Sequence, residues 1–267
     1  MFLSIVVPCY NELRNIERLC SKVDHYFKRD PGLKTLAEKY GDRNPELYEM
    51  EKHYELILVD GGSTDSSINM MNSMARSNKH IRVIDCKANR GKGYTVKMGF
   101  EHAKGSVVMF MDADLATDLS ALTKSLSAII RFYSMGYNHF AIIGNRYHPK
   151  SQIVSNYSLV RKMMSKGCIL YVNMLFDMQI HDSQCGFKVF DRDTAQYLAN
   201  YQIIDGFAFD VEYLNTITHD NNIVLKEIPV IWNNEDISTV VPIKSTVDFI
   251  IDTILLKRNL KRKKRHR

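Results

Sequence analysis

The chain has 267 residues, 45% hydrophobic and 25% charged, which is enough for a real core and too apolar for a disordered chain. Its formal net charge of +6 is uneven: eight of the 36 Lys and Arg lie in Lys257 to Arg267, which holds no acid, and the remaining 28 face 30 Asp and Glu. That excludes a uniformly basic protein and marks the tail as a surface-binding appendage, attracted to anionic lipid or to nucleic acid. The five cysteines are scattered, with no C-x-x-C and no His at zinc spacing, so they fit buried thiols in a reducing compartment rather than a disulfide framework.

In chain order, Leu3 to Pro8 reads as a strand, with no basic and apolar leader before it, so no secretory signal is expected. Asn15 to Phe27 has helical apolar spacing. Arg29 to His53 is polar, carries Pro31, Gly32, Gly41 and Pro45, and is expected to be an insertion with partial helix. Tyr54 to Val59 is a second strand ending in Asp60-Gly-Gly-Ser-Thr-Asp65, with a helix from Ser66 to Ser77 capped by Thr64 or Asp65. Ile81 to Ile84 is a third strand, followed by Asn89-Arg-Gly-Lys-Gly93 and a helix through Ala103.

Val107 to Met111 is an unbroken apolar run, the pattern of a strand buried on both faces, and it stops at Asp112-Ala-Asp114. Two carboxylates flanking one small residue repel each other unless a cation sits between them. Hard oxygen ligands suit Mg²⁺ or Mn²⁺ bridging to a diphosphate, so Asp112 and Asp114 are the expected metal ligands. The carboxyl end of a strand is also where open α/β sheets place ligands.

Further on, Leu119 to Tyr133 reads as a helix, Phe140 to Gly144 as a strand delivering Asn145-Arg-Tyr-His148, and Tyr157 to Phe176 as a helix. Gln179 to Lys188 is expected to be a loop, Phe207 to Leu214 to start a helix, and Ile223 to Trp232 to be the last strand. A short amphipathic helix, Asp248 to Leu256, merges into the basic tail. The apolar stretch Gly167 to Phe176 is about half the length that spans a bilayer. Strands alternating with helices predict an α/β fold, a doubly wound, mainly parallel sheet over residues 1–246 with an insertion at 29–53 and an appendage at 247–267.

Taken together and in this order, Val-Val-Pro-Cys-Tyr-Asn-Glu12, Val-Asp-Gly-Gly-Ser-Thr-Asp65, Asn-Arg-Gly-Lys-Gly93, Asp112-Ala-Asp114 and Gly-Asn-Arg146 resemble family 2 glycosyltransferases of the GT-A fold. Asp182-Ser-Gln-Cys-Gly-Phe-Lys188 and Phe207-Ala-Phe-Asp-Val-Glu212 are similar to the branch containing dolichyl-phosphate β-glucosyltransferases. The resemblance covers roughly residues 3 to 256 without the insertion. It departs from the family after Trp232, where Gly-Ser-Lys is replaced by Asn-Asn-Glu-Asp-Ile-Ser-Thr-Val, and at Gly61, where relatives often carry a second acid.

The resemblance implies inverting transfer of a hexose, glucose from UDP-glucose foremost, to a dolichyl or polyprenyl phosphate, with Mn²⁺ or Mg²⁺ as cofactor. Pro8 and Tyr10 would pack on the base, Glu12 and Asp60 would accept from uracil or ribose hydroxyls, and Lys92 and Arg146 would meet phosphates, Arg146 through its planar fork. Asp114, Asp182 and Asp210 are the implied catalytic acids. Gln184 is expected on sugar hydroxyls and Lys188 on an anionic acceptor. Glu212 is left between capping and pairing. A second acceptor class, a sugar hydroxyl on a glycan or glycolipid, would need a true general base. No aromatic residue follows Phe249 for bases to stack on, which argues against nucleic acid as the partner. The helix and tail are instead expected to hold a cytoplasmic protein peripherally on the cytosolic face of a membrane.

Overall fold

A computed structural model of the chain describes residues 2–154, 159–233 and 242–265. The first half alternates strands and helices: β1 (Leu3–Cys9), α1 (Leu13–Arg29), α2 (Pro31–Tyr40), a 3-10 segment (Pro45–Lys52), β2 (Tyr54–Asp60), α3 (Ser67–Ser77), β3 (Ile81–Asp85), α4 (Lys92–His102) and β4 (Val107–Met111). The second half adds α5 (Ser120–Ser134), β5 (Phe140–Asn145), β6 (Gln152–Ile153), α6 (Leu159–Phe176), β7 (Phe187–Asp191) and α7 (Arg192–Tyr201). It continues with α8 (Phe209–Thr218), β8 (Val224–Pro229), β9 (Ile231–Trp232) and α9 (Pro242–Arg265).

The central sheet runs β3-β2-β1-β4-β7-β5-β8, and β6 pairs with β9 in a small separate ribbon. Period-two alternation sorts the central side chains into layers. Leu3, Ile5, Val7, Val107, Met109 and Met111 face a core with α1, α2 and α5, whereas Val6, Val108 and Phe110 face one with α4, α7 and α8. Every residue of β4 is buried, as its unbroken apolar run requires. All pairings in the sheet are parallel except those of β7, which is antiparallel to both β4 and β5. The carboxyl ends of β1, β2, β4 and β5 therefore share one edge, and the reversed direction of β7 brings residues 182–186, just before it, to that same edge.

Several expectations need correction. Phe187 to Asp191 is a core strand and Arg192 to Tyr201 a helix, neither of which the pattern signalled, and Lys188 lies inside β7 rather than in a loop. The insertion is mostly helical, and its Leu33, Leu36, Leu47 and Met50 are buried in the main core. Tyr26 Oη lies 2.6 Å from Thr123 Oγ1, linking α1 to α5 beside it. The expected last strand breaks at Val230 into β8 and β9. The boundary drawn after residue 246 falls inside α9, a longer helix than expected, whose Phe249, Thr253 and Leu256 are buried. All five cysteines are free. Among the described residues no helix is long and apolar enough to cross a membrane. The segment at 234–240, where the sequence departs from its relatives, and the start of the expected helix at Tyr157 lie outside the described residues, as do the last two tail positions.

Candidate functional site

At the end of β1, Asn11 takes a left-handed backbone (φ 56°), a conformation Asn tolerates better than most residues. Its Oδ1 accepts from the Thr64 and Asp65 backbone N–H groups (2.8 and 3.3 Å), and its own N–H donates to Ser63 Oγ at 2.9 Å. The loops after β1 and β2 are thereby clipped together. Gly62 (φ 79°) turns so tightly that a Cβ there would collide with the Ala88 and Asn89 backbone. Asp60 is buried; its Oδ2 accepts from the N–H groups of Gly62 and Ser63 at 3.0 and 3.1 Å. Asp60 Oδ1, in contrast, is buried with no partner among the described residues, which fits an acceptor awaiting a ligand N–H or O–H. Tyr10 is exposed and Pro8 half-buried at this edge.

The end of β4 is the charged centre. Asp112 N donates to Gly186 O at 3.1 Å, and a Cβ at Gly186 would run into the Asp112 carboxylate, so only glycine lets the two strands close here. Lys92, the first residue of α4, sets its Nζ 2.6 Å from Asp112 Oδ1. Burial opposes the Lys92 charge, yet Asp112, Asp210 and Asp114 together outweigh it and hold its pKa above the usual lysine value. Burial and the neighbouring Asp112 push the Asp114 carboxyl above the ordinary range, against a 2.9 Å hydrogen bond from Ala116 N. Glu12 is likewise raised by burial, with Asp114 and Asp112 adding to it, while Asn15 Nδ2 donates to its Oε2 at 2.6 Å. Glu12 is the N-cap residue of α1, and its side chain makes no cap bond to the helix backbone. The glycines beside Lys92 serve packing: Gly91 (φ 116°) leaves no room for a Cβ against Asp205 O, and Gly93 none against Ile204 O and Phe209. Arg90 clamps the same segment through Asp205 Oδ2 at 2.7 Å.

Two expected ligand contacts are internal ion pairs instead. Arg146 Nε and Nη2 donate to the two oxygens of Asp182 at 2.8 and 2.9 Å, and its backbone N–H adds a third bond at 2.9 Å. Asp182 has no exposed surface, so it orients the Arg146 fork rather than standing free as a catalytic acid. Arg146 also lies 5.4 Å from the Trp232 ring centroid. Lys188, 1% exposed, places its Nζ 2.6 Å from Asp210 Oδ1 and donates to Cys185 O at 2.8 Å, which removes it from direct contact with an acceptor. Burial raises the Asp210 pKa, and Lys188 and Lys92 pull it back only in part. The Lys92 and Lys188 ammonium groups lie 5.3 and 5.7 Å from the Phe110 ring centroid, so two cations and the acids Asp112 and Asp210 gather at one strand end. Glu212 forms no helix cap; its carboxylate accepts from the N–H groups of Ile203 and Ile204, both at 2.9 Å, and so holds the segment between α7 and α8. Gln184 is exposed beside these pairs, its backbone held to Asp182 Oδ1 at 3.3 Å.

The donor set at Asp112 and Asp114 fits a hard divalent ion: two carboxylates, one of them destabilised by the other and by burial, at the rim of a ligand edge. Lys92 Nζ is paired with Asp112 Oδ1 at 2.6 Å in that neighbourhood. Among the described residues another geometric cluster, His139, Asp191 and Asp193, lies at the opposite edge of the sheet. It suits a metal poorly, because Asp191 caps α7 through Thr194 N at 2.9 Å and also accepts from Phe140 N at 2.7 Å. Asn11, Gly186 and the Arg90–Asp205 clamp were missed by sequence reasoning; Asn11, Arg90 and Gly186 each sit inside a motif that could have flagged them, whereas Asp205 does not.

Comparison with known proteins gives one pattern. The family model described as glycosyl transferase family 2 matches residues 4–196. The human dolichyl-phosphate beta-glucosyltransferase is 31% identical over 261 residues, covering 96% of this chain and 74% of that protein. The Dictyostelium discoideum protein of the same name is 30% identical with the same coverage. Among solved structures, the Mycobacterium tuberculosis glucosyl-3-phosphoglycerate synthase in complex with phosphoglyceric acid superposes with a TM-score of 0.60 at 13% identity, covering 96% of this chain and 79% of that one. S. aureus TarS 1-349 in complex with UDP-GlcNAc gives 0.55 at 17% identity, covering 96% and 65%. At those identities the two structures speak for the fold alone.

Proposed function

Because the chain belongs to glycosyl transferase family 2 and is a nucleotide-sugar-dependent glycosyltransferase of the GT-A fold, we propose that it moves glucose from UDP-glucose to a dolichyl or polyprenyl monophosphate, inverting the anomeric carbon. The observation that carries this reading is the identity of about three residues in ten, over 96% of the chain, to relatives named for that reaction. The site geometry is compatible with it. Asp60 Oδ1 is the buried acceptor for the uracil or ribose, with Tyr10 and Pro8 beside the base. Asp112 and Asp114 would hold Mn²⁺ or Mg²⁺, which, when bound, supplies Lewis-acid neutralisation of charge on the leaving UDP. Lys92, beside Asp112, would offer its ammonium to the diphosphate. Gln184, exposed above the Arg146–Asp182 pair, is placed to sort sugar hydroxyls.

In the transfer itself an acceptor phosphate oxygen attacks the anomeric carbon, the bond to UDP breaks, and UDP leaves with the electron pair. The attacking oxygen is already ionised at neutral pH, so no strong general base is needed. This suits a site in which Asp182 and Asp210 are both buried and each is held by a cation, Arg146 and Lys188. A hydroxyl acceptor would ask one of them to be free. The test is to incubate purified protein with Mn²⁺, UDP-glucose carrying labelled glucose, and either a short polyprenyl phosphate or the matching polyprenol. Label in the lipid phosphate alone is expected. Equal labelling of the alcohol, or none of either, would overturn the acceptor or donor assignment.

A further inference from the structure

Helices α6 and α9 lie side by side over one core cluster: Val172 and Phe176 come from α6, Phe249 and Leu256 from α9, and Val211 and Leu214 from α8. Tyr171 Oη and Thr253 Oγ1 are 3.0 Å apart, and Lys257 Nζ sits 5.4 Å from the Phe176 ring centroid, so the two helices are fixed to each other. A surface helix ordinarily turns polar residues away from its core. Both of these instead expose mostly apolar side chains, with Lys166 on α6 and Asp248 on α9 the exposed charges beside them. On α6 the line facing away from Val172 holds Met163, Leu170 and Met174, which are 75%, 61% and 77% exposed. On α9, Val247, Ile250, Ile251, Ile254 and Leu255 are all exposed, on the side opposite the buried Phe249, Thr253 and Leu256. The outward side of α9 then changes character, with exposed Arg258, Lys261 and Arg262 following the apolar turns.

We propose that α6 and α9 together form one docking face for an anionic lipid bilayer, their apolar lines entering the acyl boundary while Arg258, Lys261 and Arg262 meet headgroup phosphates. The order of chemistries along α9, apolar turns and then cationic ones, matches the two depths of a membrane interface. A second copy of this chain would match it less well, since pairing would set cation against cation or cation against apolar turn. The proposal deepens the functional reading and rests on its lipid-linked acceptor, because the face adjoins the site. Asp252 of α9 packs on Gly206, and the segment 204–206 packs in turn on Gly91 and Gly93, which flank Lys92. A phosphate presented at the bilayer surface thus meets the edge that holds Lys92.

The experiment is vesicle flotation of the full chain on phosphatidylcholine vesicles with and without phosphatidylserine, together with light scattering in solution. Wild type is expected to float on the anionic vesicles. Arg258→Glu/Lys261→Glu/Arg262→Glu should lower partitioning by at least ~100-fold, since each basic side chain near such a surface is worth about fivefold. The deciding variant is Leu170→Asp/Met174→Asp, far from the tail in sequence, which should weaken binding by ~10-fold or more on both vesicle types. Its cooperative melting by circular dichroism should match wild type, showing an intact fold. Wild-type partitioning of that α6 variant would overturn the proposal in favour of the tail alone. Failure of wild type to float, or a wild-type dimer that Leu170→Asp/Met174→Asp splits, would overturn it too. Transfer to a water-soluble, short-chain polyprenyl phosphate without vesicles is read in parallel and should not change in either variant, so failure of docking and failure of the proposed reaction are told apart.

Discussion

Asp182→Asn removes one charge and almost no volume, so it separates a carboxylate that reacts from one that holds Arg146. In the structure Asp182 is fully buried and accepts three bonds from Arg146, at 2.8 to 2.9 Å. An amide can keep only part of that set and leaves the guanidinium without its counter-charge. Breaking a buried ion pair from one side costs ~3–5 kcal/mol. For a chain of this size that corresponds to a melting temperature lower by on the order of 10 °C. The assay is a thermal melt by circular dichroism, followed by transfer rates measured below both midpoints. Arg146→Met/Asp182→Leu, which removes both charges, should recover most of the lost stability, giving a large interaction energy in the double-mutant cycle. If Asp182→Asn melts within roughly 2 °C of wild type while transfer collapses, the carboxylate is a reacting group and the positioning role assigned to it is wrong.

Three further outcomes follow from the same geometry. Lys188→Met should destabilise the fold by ~3–5 kcal/mol in urea denaturation, because it strands Asp210 in the core, and Lys188→Met/Asp210→Leu should restore much of it. Gly91→Ala, which puts a Cβ against Asp205 O at a φ of 116°, should cost ~1–3 kcal/mol and loosen Lys92, lowering donor affinity along with the melting temperature. Glu12 has a folded pKa raised by burial and by Asp114 and Asp112, so it contributes stability below its unfolded value that is lost as pH rises through the folded one. In chelator, Glu12→Gln should therefore melt above wild type at pH 7 and converge with it below pH ~4; a constant difference across that range would contradict the assignment.

The parallel half of the sheet was legible because β1, β2 and β4 are mainly apolar runs, of which β2 ends in Asp60 and β4 runs straight into Asp112. β7 was hidden by Lys188. A lysine in a five-residue stretch argues for a loop unless a partner neutralises it, and that partner, Asp210, comes from a different helix. The same long-range pairing hid the role of Arg146. Its fork matches phosphate and carboxylate equally, and the carboxylate that takes it lies 36 residues away. The insertion's prolines and glycines suggested only partial helix, yet Pro31 opens α2 at a position where proline is tolerated and Asp30 caps it through Leu33 N at 3.0 Å. Nearly all the candidate site residues do meet at one edge, because strand direction alone decides that. What each side chain holds there depends on contacts between segments that sequence spacing does not encode.

The most direct measurement of the central claim is calorimetric titration of UDP into wild type, Asp112→Ala and Asp114→Ala, each in Mn²⁺ and in chelator. If a divalent ion held by the β4 carboxylates joins the nucleotide to the protein, wild type should bind UDP at least ~10-fold more tightly in Mn²⁺, and both variants should lose that difference. Equal affinity in Mn²⁺ and chelator for all three proteins would contradict it.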